Sequence, residues 1–440
     1  MFSTVDGGFG GILLSKKNHD SGIKHMPCWT SGEVPAKYPW MSEEEFCEVC
    51  VIGGGITGAL CALSIAEKGH SVMLITSNEI GFGATACASS AVEADMGRTL
   101  TDLERITSID AALDLYAMGR EALDELENLC HSLDASEGKC GYKCNFSRHD
   151  SLIYTDDDSE LELLNHEYLA RKHNGFESTY ITRETARDSF SFDMCGGVLT
   201  KEFGGSLNPY HLTHLCLMRA EALGVKIFEH TQAEEIETPK NGGSGVKIIT
   251  STRRTIHADK LVLATGSEGI ESLLTSCRRR TVYSAITRKI LPENDSGWPG
   301  HCVIRTFSNP CITYSFTPGG RISASGLESR FLASGGKLGG LINMPAAQKS
   351  KFAHLEDSIR FLFPTMSSTR VEFIHECQYF TAPDGLPLIG EHPDYPDCFF
   401  ALCTGKNTVL YSKLAAKLIA DEIEELYIED LAMFKPTRYK

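Results

Sequence analysis

Residues 47–90 read CEVCVIGGGITGALCALSIAEKGHSVMLITSNEIGFGATACASS, and this stretch decides the fold. An apolar strand, VCVI, runs straight into Gly53-x-Gly55-x-x-Gly58, which opens the helix ITGALCALSIAEKG, and a second strand, Val72-Met73-Leu74-Ile75, follows. Each glycine answers a physical need: a tight turn at Gly53, room for a diphosphate at Gly55, and close helix–strand contact at Gly58, with Ile56 and Thr57 starting a helix whose positive end faces the phosphates. This is the strand-turn-helix-strand unit of a dinucleotide-binding domain. The second strand ends on Thr76, where such units usually carry an acid for the ribose hydroxyls. Thr76, with Ser77 and Asn78 beside it, offers only neutral hydrogen bonds, and charge-assisted ones are roughly twice as strong. No arginine stands there to favour a ribose phosphate.

Working outward, 440 residues exceed one ordinary core, so two domains are expected. A net charge of −16 argues against nucleic acid, and the only dense basic run is Arg278-Arg279-Arg280. No apolar run reaches the roughly 18 residues of a membrane helix, and the first residues lack the basic start and cleavage site of an export signal. The 16 cysteines are scattered rather than spaced as a framework, which points to reduced thiols and a cytoplasmic location. Cys47 and Cys50 lie within a strand and read as packing. Cys140 and Cys144 with His131 and His149 are too irregularly spaced for zinc, and no metal is expected.

Along the chain, residues 1–44 form an irregular lead-in. One long helical segment is expected from Leu103 to about Leu133. SLIYT and VKIFEH read as strands, DSELELLNHEYLARKH and NPYHLTHLCLMRAEALG as helices, and GVKIITSTRRTIHADKLVLATGSEG as a hairpin that returns to the nucleotide sheet. A strand-rich region with one helix, AAQKSKFAHLEDSIRFLF, precedes a final strand-turn-helix. The fold class is α/β: a discontinuous Rossmann-type domain from residues 45–140, 201–280 and 376–440, with a second, mainly antiparallel α+β substrate domain from 141–200 and 281–375.

Several motifs in this order, from VIGGGITGALCALSIAEKGHSV and NEIGFGATACASSAVEADMG to LVLATGSEG, DGLPLIGEHPDYPDCFFAL and GKNTVLYSKLAAKLIADEI, make the chain resemble the FAD-dependent oxidoreductases of the D-amino-acid-oxidase-like superfamily, which includes glycine oxidase, sarcosine oxidase and gamma-glutamylputrescine oxidase. The resemblance extends from about Pro27 to Ile423, and the lead-in looks like that of a bacterial branch. It implies FAD as cofactor, its diphosphate at Gly53 to Gly58, its ribose near Thr76 and Ser77, and its ring approached by Gly83, Ala84, Thr85 and Ser89. Ala233, Thr265 and Gly266 are further implied contacts. Asp384, Gly385 and Leu386, with the turn Gly405, Lys406, Asn407 and Thr408, are similar to segments beside the pyrimidine end of the flavin.

There are departures. Lys406 and Thr408 replace glycines of the family's turn. Cys377 stands seven residues before Asp384, the spacing at which sarcosine oxidase bonds flavin covalently, and Tyr379 matches a flavin-side tyrosine. The arginine that relatives use for a substrate carboxylate is missing on CITYSF, where Ser315 stands, which leaves Arg305 and Arg288 as candidates. With Tyr379 and Lys406 these complete the expected catalytic set. The resemblance implies oxidation of a primary or secondary amine, or an amino acid, to an imine, with oxygen or another acceptor taking the electrons. A hydroxy-acid dehydrogenase and a non-catalytic FAD-binding subunit are the alternatives.

Overall fold

The computed structural model describes residues 23–136, 141–238, 243–266, 276–291, 297–330, 346–364, 370–403, 405–426 and 429–439. In chain order the strands are β1 (Lys24–His25), β2 (Glu45–Ile52), β3 (Val72–Ile75), β4 (Ala91–Glu93), β5 (Ser147–Thr155), β6 (Ser178–Thr182), β7 (Gly196–Ser206), β8 (Lys226–Phe228), β9 (Ala233–Glu237), β10 (Val246–Thr250), β11 (Thr255–Leu263), β12 (Arg278–Thr287), β13 (Val303–Thr306), β14 (Ile312–Phe316), β15 (Ile322–Arg330), β16 (Val371–Thr381), β17 (Leu388–His392) and β18 (Tyr395–Leu402). The helices are α1 (Ile56–Glu67), α2 (Leu100–Ile106), α3 (Ile109–Ser136), α4 (Leu161–His173), α5 (Arg183–Ser189), α6 (Pro209–Ala222), α7 (Ala346–Leu362) and α8 (Thr408–Ile423).

Two sheets organise these elements. The first has the order β17-β18-β11-β2-β3-β8, with β10 on β11 and β9 on β10. Its centre is parallel: β11 pairs with both β2 and β18, and β2 with β3. Val49 to Ile52 and Val72 to Ile75 are buried throughout, as strands covered on both faces must be. Helix α1 is the cover on one face, with Ile56 to Leu63 buried against α6 and α8.

The second sheet runs β1-β16-β12-β15-β14-β13-β5-β7-β4, with β6 on β7. It is mostly antiparallel, and its own core gathers Tyr314, Phe352, Leu355 and Phe363 beneath α7. Residues 376–381, expected with the nucleotide domain, complete β16 of this sheet, and β4 joins it from the other side. The helix expected over Leu103 to Leu133 is two helices. Thr107 departs from helical geometry, and the Ser108 hydroxyl accepts the Ala111 amide at 3.2 Å to begin α3.

One irregularity bears on the site. Between β12 and β15 the register steps from Thr281–Ser329 to Tyr283–Gly326, so Leu327 and Glu328 together oppose Val282. This is a β-bulge, and Leu327 adopts φ 54° to make it.

Candidate active site

The turn before α1 is built for close approach. Gly53 has φ 127°, and a side chain there would meet the Ala264 carbonyl oxygen at 2.3 Å. At Gly58 the obstacle is the Gly53 carbonyl oxygen at 1.8 Å, so helix and turn touch through backbone alone. Thr85 Oγ1 accepts the Ile56 amide at 2.9 Å, which draws the loop of Gly83 and Ala84 over the helix start. Gly55, the N-cap, contributes no side-chain bond, which leaves the helix's positive end to a ligand. These features fit the diphosphate of FAD. Thr57 Oγ1 and Ser412 Oγ lie 2.7 Å apart and fasten α1 to α8 near their N-termini.

At the ribose end Thr76 is buried, its methyl carbon against Gly54, while Ser77 and Asn78 are exposed. The loop is held by a residue that sequence reading passed over. Glu229 accepts the Ile80 amide at 2.7 Å and the Tyr38 amide at 2.9 Å. Ala233 begins β9 just beyond it. Thr265 and Gly266 follow Ala264 at the end of β11, beside Gly53.

Towards α8, Asn407 Nδ2 donates to the Glu93 carbonyl at 2.5 Å and its Oδ1 accepts the Glu93 amide at 3.4 Å, clasping the helix start to β4. Gly405 has φ 128°, and Thr408 Oγ1 donates back to its carbonyl at 2.7 Å. Asp384 is half-buried. Burial opposes its charge, but Arg438, at 2.8 Å and 3.1 Å, outweighs that and holds its carboxyl below the ordinary range. The same carboxylate accepts the Leu386 amide at 2.9 Å and so shapes the Gly385 turn.

The second sheet closes the site with one face of β16, carrying His375, Cys377 and Tyr379 at alternate positions. Tyr379 sits opposite Arg280 of β12, and its hydroxyl is pushed well up by burial and by the neighbouring charge of Glu328. Lys406 Nζ reaches Glu328 Oε1 at 3.3 Å. Tyr379 and Lys406, widely separated in sequence, therefore meet around Glu328, which sequence reading did not single out because a bulge leaves no local signature. Cys377 adjoins Cys87, whose thiol is pushed well up by that contact and by burial. His375 Nε2 bonds the Cys87 carbonyl at 3.2 Å, and burial lowers its pKa to about 4.

Two expected arginines are elsewhere. Arg305 is buried and bonded through both terminal nitrogens to Asp95, with Glu93 at 3.7 Å. It belongs to an internal network in which Arg171 bonds Glu167 at 2.6 Å and Asp95 at 3.4 Å. With its charge already compensated, Arg305 is not free for a carboxylate. Arg288 is exposed just past the far end of β12, eight residues from Arg280, or roughly 26 Å along a strand. Ser315 is buried against Ser90, with 2.7 Å between hydroxyl oxygens. Ser89 caps the Ala91 amide at 3.1 Å.

Among the described residues no group of His, Cys, Asp and Glu could hold a metal, and no helix is long and apolar enough to cross a membrane. Cys140, of the irregular cysteine-histidine group, lies outside the described residues. The chain is 24% identical over 403 residues to the probable oxidoreductase OrdL of Haemophilus influenzae, covering 88% of this chain and 85% of that one. It is 20% identical over 404 residues to glycine oxidase of Geobacillus kaustophilus, covering 89% and 97%. The crystal structure of that glycine oxidase superposes with a TM-score of 0.72 at 18% identity, over 90% of this chain and all of the other. L-proline dehydrogenase from P. horikoshii superposes with a TM-score of 0.67 at 16% identity, over 90% and 98%. Residues 48–422 match the family described as DAO, FAD dependent oxidoreductase, and the chain belongs to that family.

Proposed function

We propose that this FAD-dependent oxidoreductase oxidises a primary or secondary amine, or an amino acid, to an imine. The observation that carries this reading is the meeting of Tyr379, Lys406 and Glu328 at the end of the cradle where α8 begins. Gly53 to Gly58 with Thr85 would hold the diphosphate, Ser77 the ribose, and Gly405 to Thr408 with the Asp384 turn the flavin end. Bound FAD supplies an acceptor for the hydride leaving the carbon next to nitrogen. The chain's own task is then to hold a neutral amine with that C–H bond directed at the acceptor. Lys406 offers a cation for an anionic substrate group, and Tyr379 offers a hydroxyl kept protonated by burial and by Glu328.

Glycine oxidase and L-proline dehydrogenase, whose folds this chain shares, are named for such substrates, which supports the reading. Oxygen or another acceptor would then take the electrons. The test is anaerobic: FAD-loaded protein is mixed in turn with amines, amino acids and hydroxy acids, and loss of flavin absorbance is followed. Bleaching by an amine or amino acid is expected. Bleaching by hydroxy acids alone would replace the reading with a hydroxy-acid dehydrogenase, and no bleaching by any of them would favour a non-catalytic FAD-binding subunit.

A further inference from the structure

We infer that Glu328 reads the substrate's charge: the preferred amine carries a second, non-reacting cationic group, which Glu328 holds in place of Lys406. This rests on the amine-oxidation reading and narrows it. The bulge brings Glu328 to the site from the middle of a sheet, since Leu327 and Glu328 share the single partner Val282. Its Oε1 is sealed from solvent and has no directed donor among the described residues, while the neutral Tyr379 hydroxyl bonds the same carboxylate without balancing its charge. Lys406 is its counter-charge, at 3.3 Å and on an arm that is 37% exposed. That pairing is loose and can be exchanged, because a long, partly exposed lysine can swing away while Glu328 stays anchored in its strand.

Charge balance then selects the ligand. If a substrate anion took Lys406, Glu328 would lose its counter-charge, and a partly buried carboxylate needs one. A substrate cation at Glu328 restores the balance. That cation cannot be the reacting amine: a carboxylate beside that nitrogen would keep it protonated, and a protonated amine has no lone pair with which to form the C=N bond as hydride leaves. The second charge must therefore be a separate ammonium, as in a diamine or an amino acid with a basic side chain.

Pairs of near-isosteric ligands differing by one ammonium test this: 1,4-diaminobutane against 1-aminobutane, and lysine against norleucine. Binding is measured by calorimetry on FAD-loaded protein reduced beforehand, so that no turnover intrudes, and reactivity by anaerobic bleaching of the oxidised protein. The dicationic or basic member should bind at least tenfold tighter. Glu328→Gln should bring that ratio to within about threefold while retaining FAD, and Lys406→Met, which removes the competing cation, should tighten the diamine. An equal ratio in the unmodified protein, a preference that survives Glu328→Gln, or weaker diamine binding in Lys406→Met would overturn the inference. Selective binding without bleaching leaves it standing and overturns the amine-oxidation reading. Bleaching without selectivity does the reverse, and neither binding selectivity nor bleaching overturns both.

Discussion

At Gly58 a single methyl group decides whether the cofactor turn can form, because the nearest atom is a backbone oxygen that cannot rotate aside. Gly58→Ala should cost about 1–3 kcal/mol of stability and lower the flavin-to-protein absorbance ratio of the purified protein. A full flavin complement at unchanged melting temperature would show that the turn relaxes. Thr76 calls for the opposite experiment. Thr76→Glu should tighten FAD, measured by titrating flavin-free protein, since a carboxylate makes stronger bonds to ribose hydroxyls than a hydroxyl does. Unchanged affinity would show that the ribose hydroxyls lie beyond the reach of position 76.

Among elements, the network joining β4, α4 and β13 carries the sharpest expectation. Arg305→Met leaves Asp95 and Glu93 short of positive charge, and removing one partner of a buried pair costs about 3–5 kcal/mol. Denaturant unfolding should register this loss; an unchanged midpoint with a raised KM would instead make Arg305 a substrate ligand. The elements themselves were largely legible in the sequence. The buried strands β2 and β3, the glycine turn, the β10–β11 hairpin and α6 all follow from local period and turn chemistry. Where the expectation failed, the decisive interaction was nonlocal or a single cap. Ser108 split one helix into two, Asp95 claimed an arginine 210 positions away, and the bulge that brings Glu328 to Lys406 exists only because β12 and β15 pair out of step.

Over the whole molecule, acid should be more damaging than the excess of carboxylates alone implies. His214 and His375 are buried, and burial is the main cause that lowers each from 6.5 to about 4. The unfolded chain therefore binds more protons between those values, so stability is full above pH 6.5, falls as pH drops towards 4, and loses nothing further from these groups below that. Each contributes on the order of 3 kcal/mol across that window. Unfolding midpoints at pH 7, 5.5 and 4.5 should fall in turn, and His375→Gln should flatten the slope; an unaltered slope would exclude His375 as a source. The bulge in β15 has a consequence of another kind. Relative to a regular ladder it is an inserted residue, so deleting Glu328 would leave Leu327 alone opposite Val282 and keep every flanking side chain on its present face. The carboxylate is thus detachable from the pairing: a single codon lost there would change which charges the site accepts while the cofactor cradle and the flanking register stay as they are, at the cost of drawing Leu327 out of the core beneath α7.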